Sequence, residues 1–214
     1  MKKNDTLLQA FEWYLPDDSQ HWNKLKVKAP SFSNLGVTLV WLPPAYKGAG
    51  GVHDVGYGVY DLYDLGEFDQ KGTIPTKYGT KQEYLDTIDA LQKENISVLA
   101  DIVLNQKMGG DTEETIDVIK IDPNNRNEEI GGDYQITAWT KFTFPNRHGK
   151  YSTFIWNASH FDGIDWDEKK KQSAIYLIEG KNWDSNVDSE NGNYDYLMGC
   201  DIDFKNQEVL QEFN

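Results

Sequence analysis

Two near-continuous apolar runs restrict the folds open to this chain. Val37-Thr38-Leu39-Val40-Trp41-Leu42 is closed by Pro43-Pro44, and Ile96-Ser97-Val98-Leu99-Ala100-Asp101-Ile102-Val103-Leu104 follows later. A strand with one face in water alternates apolar and polar residues. An unbroken run suits a strand buried on both faces, as in parallel sheets covered on both sides. Residues 80–95 stand between the runs and predict a helix. Thr80 and Glu83 have the spacing of a capping box, and Tyr84, Ile88 and Leu91 recur at steps of four and three. Residues 20–35, with Trp22, Leu25, Phe32 and Leu35 as apolar positions, predict an earlier helix. Pro30 starts or kinks its second part and Gly36 caps its end. Residues 6–13 read as a short strand of mixed burial. The order β-α-β-α-β, with buried parallel strands, is that of an α/β fold.

The pattern then changes. Residues 48–79 form a long Gly- and Tyr-rich loop whose aromatic content argues for order. From 105 to about 204, short strand-like pieces such as 117–121 and 174–178 are separated by Gly, Asn and Asp turns. This predicts a mostly β subdomain inserted after the third strand. Residues 207–213 read as the start of another helix. The sequence has no internal repeat.

Charge and composition exclude several functions. The net charge is −14, with 35 acids against 21 bases, which opposes nucleic acid or an anionic membrane as partner. It supplies hard oxygen ligands for calcium, although a solvated acidic surface explains most of these groups. The single cysteine, Cys200, excludes an internal disulfide framework. Lys2 and Lys3 are followed by Asn4, Asp5 and Thr6 rather than an apolar core, so neither a secretory signal nor a membrane span is expected. A cytoplasmic location is the default, and a secreted mature chain with an added Met is the alternative. His21, His53, His148 and His160 lack zinc-like pairing, and Gly48 to Gly51 lack the Lys-Ser/Thr of a phosphate loop. Aromatic residues make up 13% of the chain, which suits a carbohydrate site as well as an ordinary core. Asp101 inside an apolar run requires hydrogen-bond partners.

Four segments carry a family resemblance. Asp101-Ile102-Val103-Leu104-Asn105-Gln106 resembles the first signature segment of the α-amylase family of glycoside hydrolases, with Gln106 where the family nearly always has His. Trp41-Leu42-Pro43-Pro44-Ala45-Tyr46-Lys47-Gly48 resembles the end of that family's second strand. Val55-Gly56-Tyr57-Gly58-Val59-Tyr60-Asp61-Leu62-Tyr63-Asp64 resembles the loop beside its sugar site. Tyr194-Asp195-Tyr196-Leu197-Met198 with Asp201-Ile202-Asp203 resembles its late calcium segment. The branch resembled is that of the bacterial liquefying and intracellular α-amylases. The resemblance implies an α/β fold: a partial (β/α)8 TIM barrel, first three strands only, with an inserted β-rich calcium-binding subdomain. Residues 1–104 would form the barrel part, 105–204 the subdomain, and 205–214 the start of the next barrel helix. The implied parent is a monomer that hydrolyses internal α-1,4 bonds of an α-glucan, starch or glycogen, with retention. The family's catalytic carboxylates lie on later strands, so no catalytic residue is expected here and the chain alone is expected to be inactive. An α-1,6-acting or glucosyl-transferring relative is an alternative, opposed by the segment 197–204. A non-catalytic carbohydrate- or calcium-binding protein is another.

Individual roles follow from the resemblance. Tyr57 would stack on the sugar next to the cut bond, with Trp13 and Gln9 nearby and Asp101 supporting the site by hydrogen bonds. Gln106 stands for a sugar-contacting His; it keeps hydrogen-bonding capacity but carries no charge, so it reads either as a weakened subsite or as harmless variation. Asn105, Asp195 and Asp201 would hold the main calcium ion. Asp162, Asp184 and Asp203 match a second metal cluster, in which Lys205 replaces a carboxylate and opposes metal binding. Without the resemblance, Tyr57 and Trp13 read as core residues, Gln9 as a strand-edge residue, Asp101 as a structural Asp near a strand end, and most of the acids as surface charges.

Overall fold

The computed structural model describes residues 4–187 and 195–214, apart from the side chain of Asp133. Tyr194, in the late segment noted above, lies outside the described residues. The chain divides into two compact units, Met1–Val103 and Leu104–Asn214.

The first unit contains β1 (Leu7–Gln9), α1 (His21–Asn34), β2 (Leu39–Leu42), β3 (Lys47–Gly48), β4 (Val59–Asp61), α2 (Lys81–Lys93) and β5 (Ser97–Ala100). Strands β1, β2 and β5 form a parallel sheet in that order. Each helix runs into its following strand through the same device. Gly36 (φ +79°) and Asn95 (φ +60°) take the left-handed conformation that ends α1 and α2. Val37 then donates to the Phe32 carbonyl and Ile96 to the Leu91 carbonyl, the longer bond of a Schellman motif. At the other end of α2, Thr80 and Glu83 form the expected capping box. Helix α1 continues through Pro30 without a break in its assignment. Val40 and Leu42 of β2 pack with Trp22, Leu25 and Ala29 of α1, Tyr84 and Leu91 of α2, and Ile96.

Two expectations about the strands change. The third strand spans four residues rather than the whole of 96–104. Asp101 still bonds the Leu42 carbonyl, but the Val103 amide donates to the Tyr46 hydroxyl at 2.8 Å, which takes it out of the ladder. Burial on both faces is also absent. Val40 and Leu42 are fully buried, Leu39 and Trp41 only half, and Leu99 and Ile102 of the edge strand and its extension are exposed. The helices of this unit cover one face of the sheet, and among the described residues β5 has no strand on its outer side.

The loop between β2 and α2 is ordered mainly by a buried charge. Lys47 is fully buried, and its ammonium donates to the carbonyls of Thr73 (2.6 Å), Ile74 (2.7 Å) and Phe68 (3.1 Å), with Asp64 Oδ2 at 3.4 Å. Asp64 Oδ1 in turn accepts the amides of Gly66, Glu67 and Phe68. Tyr60 and Tyr78 are buried in the same loop, so aromatic packing adds to this order.

The second unit contains β6 (Gln106–Lys107), β7 (Thr112–Asp122), β8 (Asn125–Lys141), β9 (Phe161–Asp167), β10 (Gln172–Ile178), β11 (Cys200–Ile202) and α3 (Gln207–Phe213). Its six strands form one antiparallel sheet in the order β6-β11-β9-β10-β7-β8. The long β7–β8 hairpin exceeds the short pieces expected from sequence. Helix α3 packs within this unit. Phe213 packs its ring against Trp156 and Phe204, and Glu208 bonds His160. Among the described residues, no helix is long and apolar enough to cross a membrane.

Candidate functional site

In the first unit the candidate residues gather at the C-terminal end of the parallel strands. The register sets Gln9 beside Trp41 and Trp41 beside Leu99, so Asp101 emerges one step beyond the last pair, Leu42 and Ala100. Asp101 finds the partners that its place requires. Its Oδ2 accepts the Trp41 indole N–H at 3.2 Å and the Tyr57 hydroxyl at 3.0 Å. Burial, reinforced by the bond to Asp101 and its charge, pushes the Tyr57 phenol up to about 12, so it remains a donor at neutral pH. The Trp13 ring lies nearly parallel to that of Tyr57, with 8° between the planes and 6.2 Å between centroids. Trp13 is 61% exposed, an unusual setting for so large an apolar ring. Gln9 lies at the same end of the sheet, but its side-chain amide donates to the Phe11 carbonyl at 3.1 Å. An accessible aromatic face beside a hydrogen-bonded carboxylate suits a ligand with one apolar face and a rim of hydroxyls.

The second unit holds a carboxylate cluster. Donor oxygens of Asp162, Asp195 and Asp201 all lie within 4.8 Å of one another. Burial above all, then the charges of Asp195 and Asp162, raise the Asp201 carboxyl to about 9. Burial and the charge of Asp203 raise Asp162 to about 7, and Asp195 is raised chiefly by burial. Asn105 Nδ2 donates to Asp201 Oδ1 at 3.3 Å, whereas Asp201 Oδ2 is buried without a hydrogen-bond partner. These features fit a hard divalent cation. Two oxygens on one calcium ion stand at most about 5 Å apart, twice the usual Ca–O distance, and calcium favours carboxylate and amide oxygens.

The other expected metal residues behave differently. Asp184 contributes its backbone amide to Asp195 Oδ2, and its own Oδ1 accepts the Asn186 amide. Asp203 is ion-paired with Lys181, and its Oδ1 accepts the amides of Lys205 and Asn206. The Lys205 ammonium reaches the carbonyls of Asn182 and Trp183, and Lys181 also reaches that of Ser159. Protein cations therefore occupy the surroundings of Asp203. Gln106 is buried in β6, directly across the ladder from Asp201. It belongs to the second unit, whereas the other expected sugar-binding residues belong to the first.

Similarity to known proteins bears on what these sites serve. The chain is 55% identical to the α-amylase of Geobacillus stearothermophilus over 98% of its own length and 38% of that protein. The chain belongs to the α-amylase family of glycoside hydrolases. The cytoplasmic α-amylase of Escherichia coli K12 is 48% identical over 98% of the chain and 43% of that protein. The chain thus spans about two fifths of the length of the curated relatives it matches. No family model matches it. Among solved structures, a truncated alternansucrase from Leuconostoc mesenteroides NRRL B-1355 shares its fold with a TM-score of 0.61. That likeness is 26% identical and covers 69% of this chain and 14% of that one.

Several organising residues of this α-amylase-family chain escape a reading of the sequence. Lys47 carries no local signal, because the carbonyls it meets lie 21 to 27 residues away. Lys107 is buried with its ammonium 5.0–5.2 Å from the ring centroids of Phe142, Phe144 and Trp156. Asp54 looks like one acid among 35. The glycines at 48, 50, 56 and 58 are the only hint that something approaches the backbone there.

Proposed function

We propose that this chain is the N-terminal part of an α-amylase that hydrolyses internal α-1,4 bonds of starch or glycogen with retention. The observation that carries this reading is the Trp13–Tyr57–Asp101 platform at the C-terminal end of three parallel strands. Parallel α/β enzymes build their sites at that end of the strands. Gln9 borders the platform, and Gln106, in the second unit, is proposed as a sugar-binding residue only because it stands where the family has His. The exposed Leu99 and Ile102 beside an unpaired strand edge favour a partial (β/α)8 barrel whose next strands would cover them. Residues 1–104 then supply three barrel strands, 105–204 an inserted calcium-binding subdomain and 205–214 a return to the barrel.

Asp162, Asp195 and Asp201, with Asn105, would hold the calcium ion. Asp184 supports the cluster through its amide, and Asp203, paired with Lys181, is the least available ligand. The ion would supply positive charge that lets the three carboxylates ionise together, tying β9 and β11 to the segment of Asp195. The catalytic acid and nucleophile would lie on later strands, so the chain alone binds glucan without cutting it. An α-glucan is the proposed partner, the parent a monomer, and the name of the Escherichia coli relative favours a cytoplasmic location.

Calorimetric titration with maltohexaose tests the platform. Binding that disappears in Trp13→Ala supports this reading; equal affinity in the variant and the parent chain removes the platform from it.

A further inference from the structure

One carboxylate grips the main chain on both sides of Tyr57. Asp54 Oδ1 accepts the amides of Gly56 at 2.8 Å and Gly58 at 3.2 Å, and its Oδ2 accepts the amide of Gly50 at 3.1 Å. The approach is so close that no side chain fits beside it. A Cβ at position 48 would lie 2.2 Å from Asp54 Cγ, and one at position 58 would lie 2.4 Å from Asp54 Oδ2. Gly56 is restricted from the other side, by its φ of +104° and by Pro44, whose Cβ would be 2.5 Å from an added Cβ. Tyr57 therefore sits between two glycines, residues that leave a backbone unusually free when nothing holds it. Its hydroxyl bond to Asp101 fixes only the far end of the side chain.

We propose that Asp54 is the positioning residue of the glucan platform, holding the Tyr57 backbone so that its ring stays aligned with Trp13 and its hydroxyl on Asp101. The proposal rests on the reading of Tyr57 as a sugar-stacking residue. A glycine-flanked aromatic that must be ordered at each binding event loses affinity, and a clamp that orders it beforehand prevents that loss. A carboxylate can receive all three amides at once. An Asn at the same place has one acceptor oxygen, and its NH2 group faces the remaining N–H with a donor. Asp54→Asn therefore loses at least one arm of the clamp and Asp54→Ala loses all three.

The test is a double-mutant cycle on maltohexaose affinity in the 214-residue chain with calcium present, which binds glucan without cutting it, with circular dichroism establishing that each variant is folded. Asp54→Ala should weaken binding roughly tenfold, the equivalent of fixing one residue's backbone on binding. Asp54→Asn should lie between it and the wild type, and it carries the test alone if Asp54→Ala does not fold. In a Tyr57→Ala background, either Asp54 substitution should add nothing further, because the clamp acts through Tyr57. Weakening by Tyr57→Ala with wild-type affinity in both Asp54 variants overturns the positioning role alone. So does an Asp54 effect of the same size with and without Tyr57. Wild-type affinity in Tyr57→Ala overturns the platform reading itself, and the positioning role with it.

Discussion

Replacing Asp201 by Asn should stabilise the protein in chelator and abolish most of its response to calcium. The Asp201 carboxyl is pushed up to about 9 from 3.8 by burial and by its neighbours Asp195 and Asp162. A raised carboxyl favours folding fully below 3.8, and that contribution is lost as pH rises through the folded value. At pH 7 the unfolded chain carries an ionised Asp201 while the metal-free fold keeps it protonated. The gap from 3.8 to 7 is about three pH units at about 1.4 kcal/mol each, so the site costs the metal-free fold roughly 4 kcal/mol. Asn has nearly the same shape and carries no charge in either state. Asp201→Asn should therefore gain about 2–4 kcal/mol in urea melts at pH 7 with chelator present, and the decline of stability from pH 4 to 9 should be shallower. Calcium at a thousand times its dissociation constant adds about 4 kcal/mol to the protein that binds it, an addition the variant should largely lack. A variant less stable than the parent in chelator, or one that gains as much from calcium, would refute the electrostatic account of the cluster.

Three further outcomes follow from the fold. Lys47→Met leaves the carbonyls of Phe68, Thr73 and Ile74 and the Asp64 carboxylate without their cation, so urea melts should show a loss of about 3–5 kcal/mol. Thr80→Ala removes the acceptor for the Glu83 amide and should cost about 1 kcal/mol, measured by thermal or urea melts. His21 is held below its usual value mainly by burial. Such a group favours folding above 6.5 and loses that contribution as pH falls, so His21→Gln should flatten the acid limb of the stability profile below pH 6.5.

The parts of the fold that were legible in the sequence are those fixed locally. The capping box of Thr80 and Glu83, the Gly36 terminator and the spacing of Tyr84, Ile88 and Leu91 lie within one helix or its ends, and the structure follows them. The extent of β5 and its burial are not legible in the sequence because both depend on what lies beside it. Leu99 and Ile102 are as apolar as a buried strand demands, yet no strand of their unit covers them. The length of the β7–β8 hairpin is hidden in the sequence because residues 125–135 are largely polar and include Gly131 and Gly132, with no alternation to mark a strand. At the sites, composition could not choose among 35 acids. The family resemblance named six metal ligands, of which the structure draws Asp162, Asp195 and Asp201 into one cluster with Asn105 bonded to it. It also named Tyr57, Trp13 and Asp101, which do assemble. Lys47 and Asp54 were illegible because their partners are main-chain atoms, which any sequence supplies.

The central claim is tested most directly by proton NMR of soluble starch during digestion, with the full-length protein and the 214-residue chain compared in parallel. The account predicts that the full-length protein releases maltooligosaccharides whose new reducing ends are α-anomeric when they first appear, and that the chain alone releases none. First-formed β-anomeric ends, no cleavage by the full-length protein, or cleavage by the chain alone would contradict it.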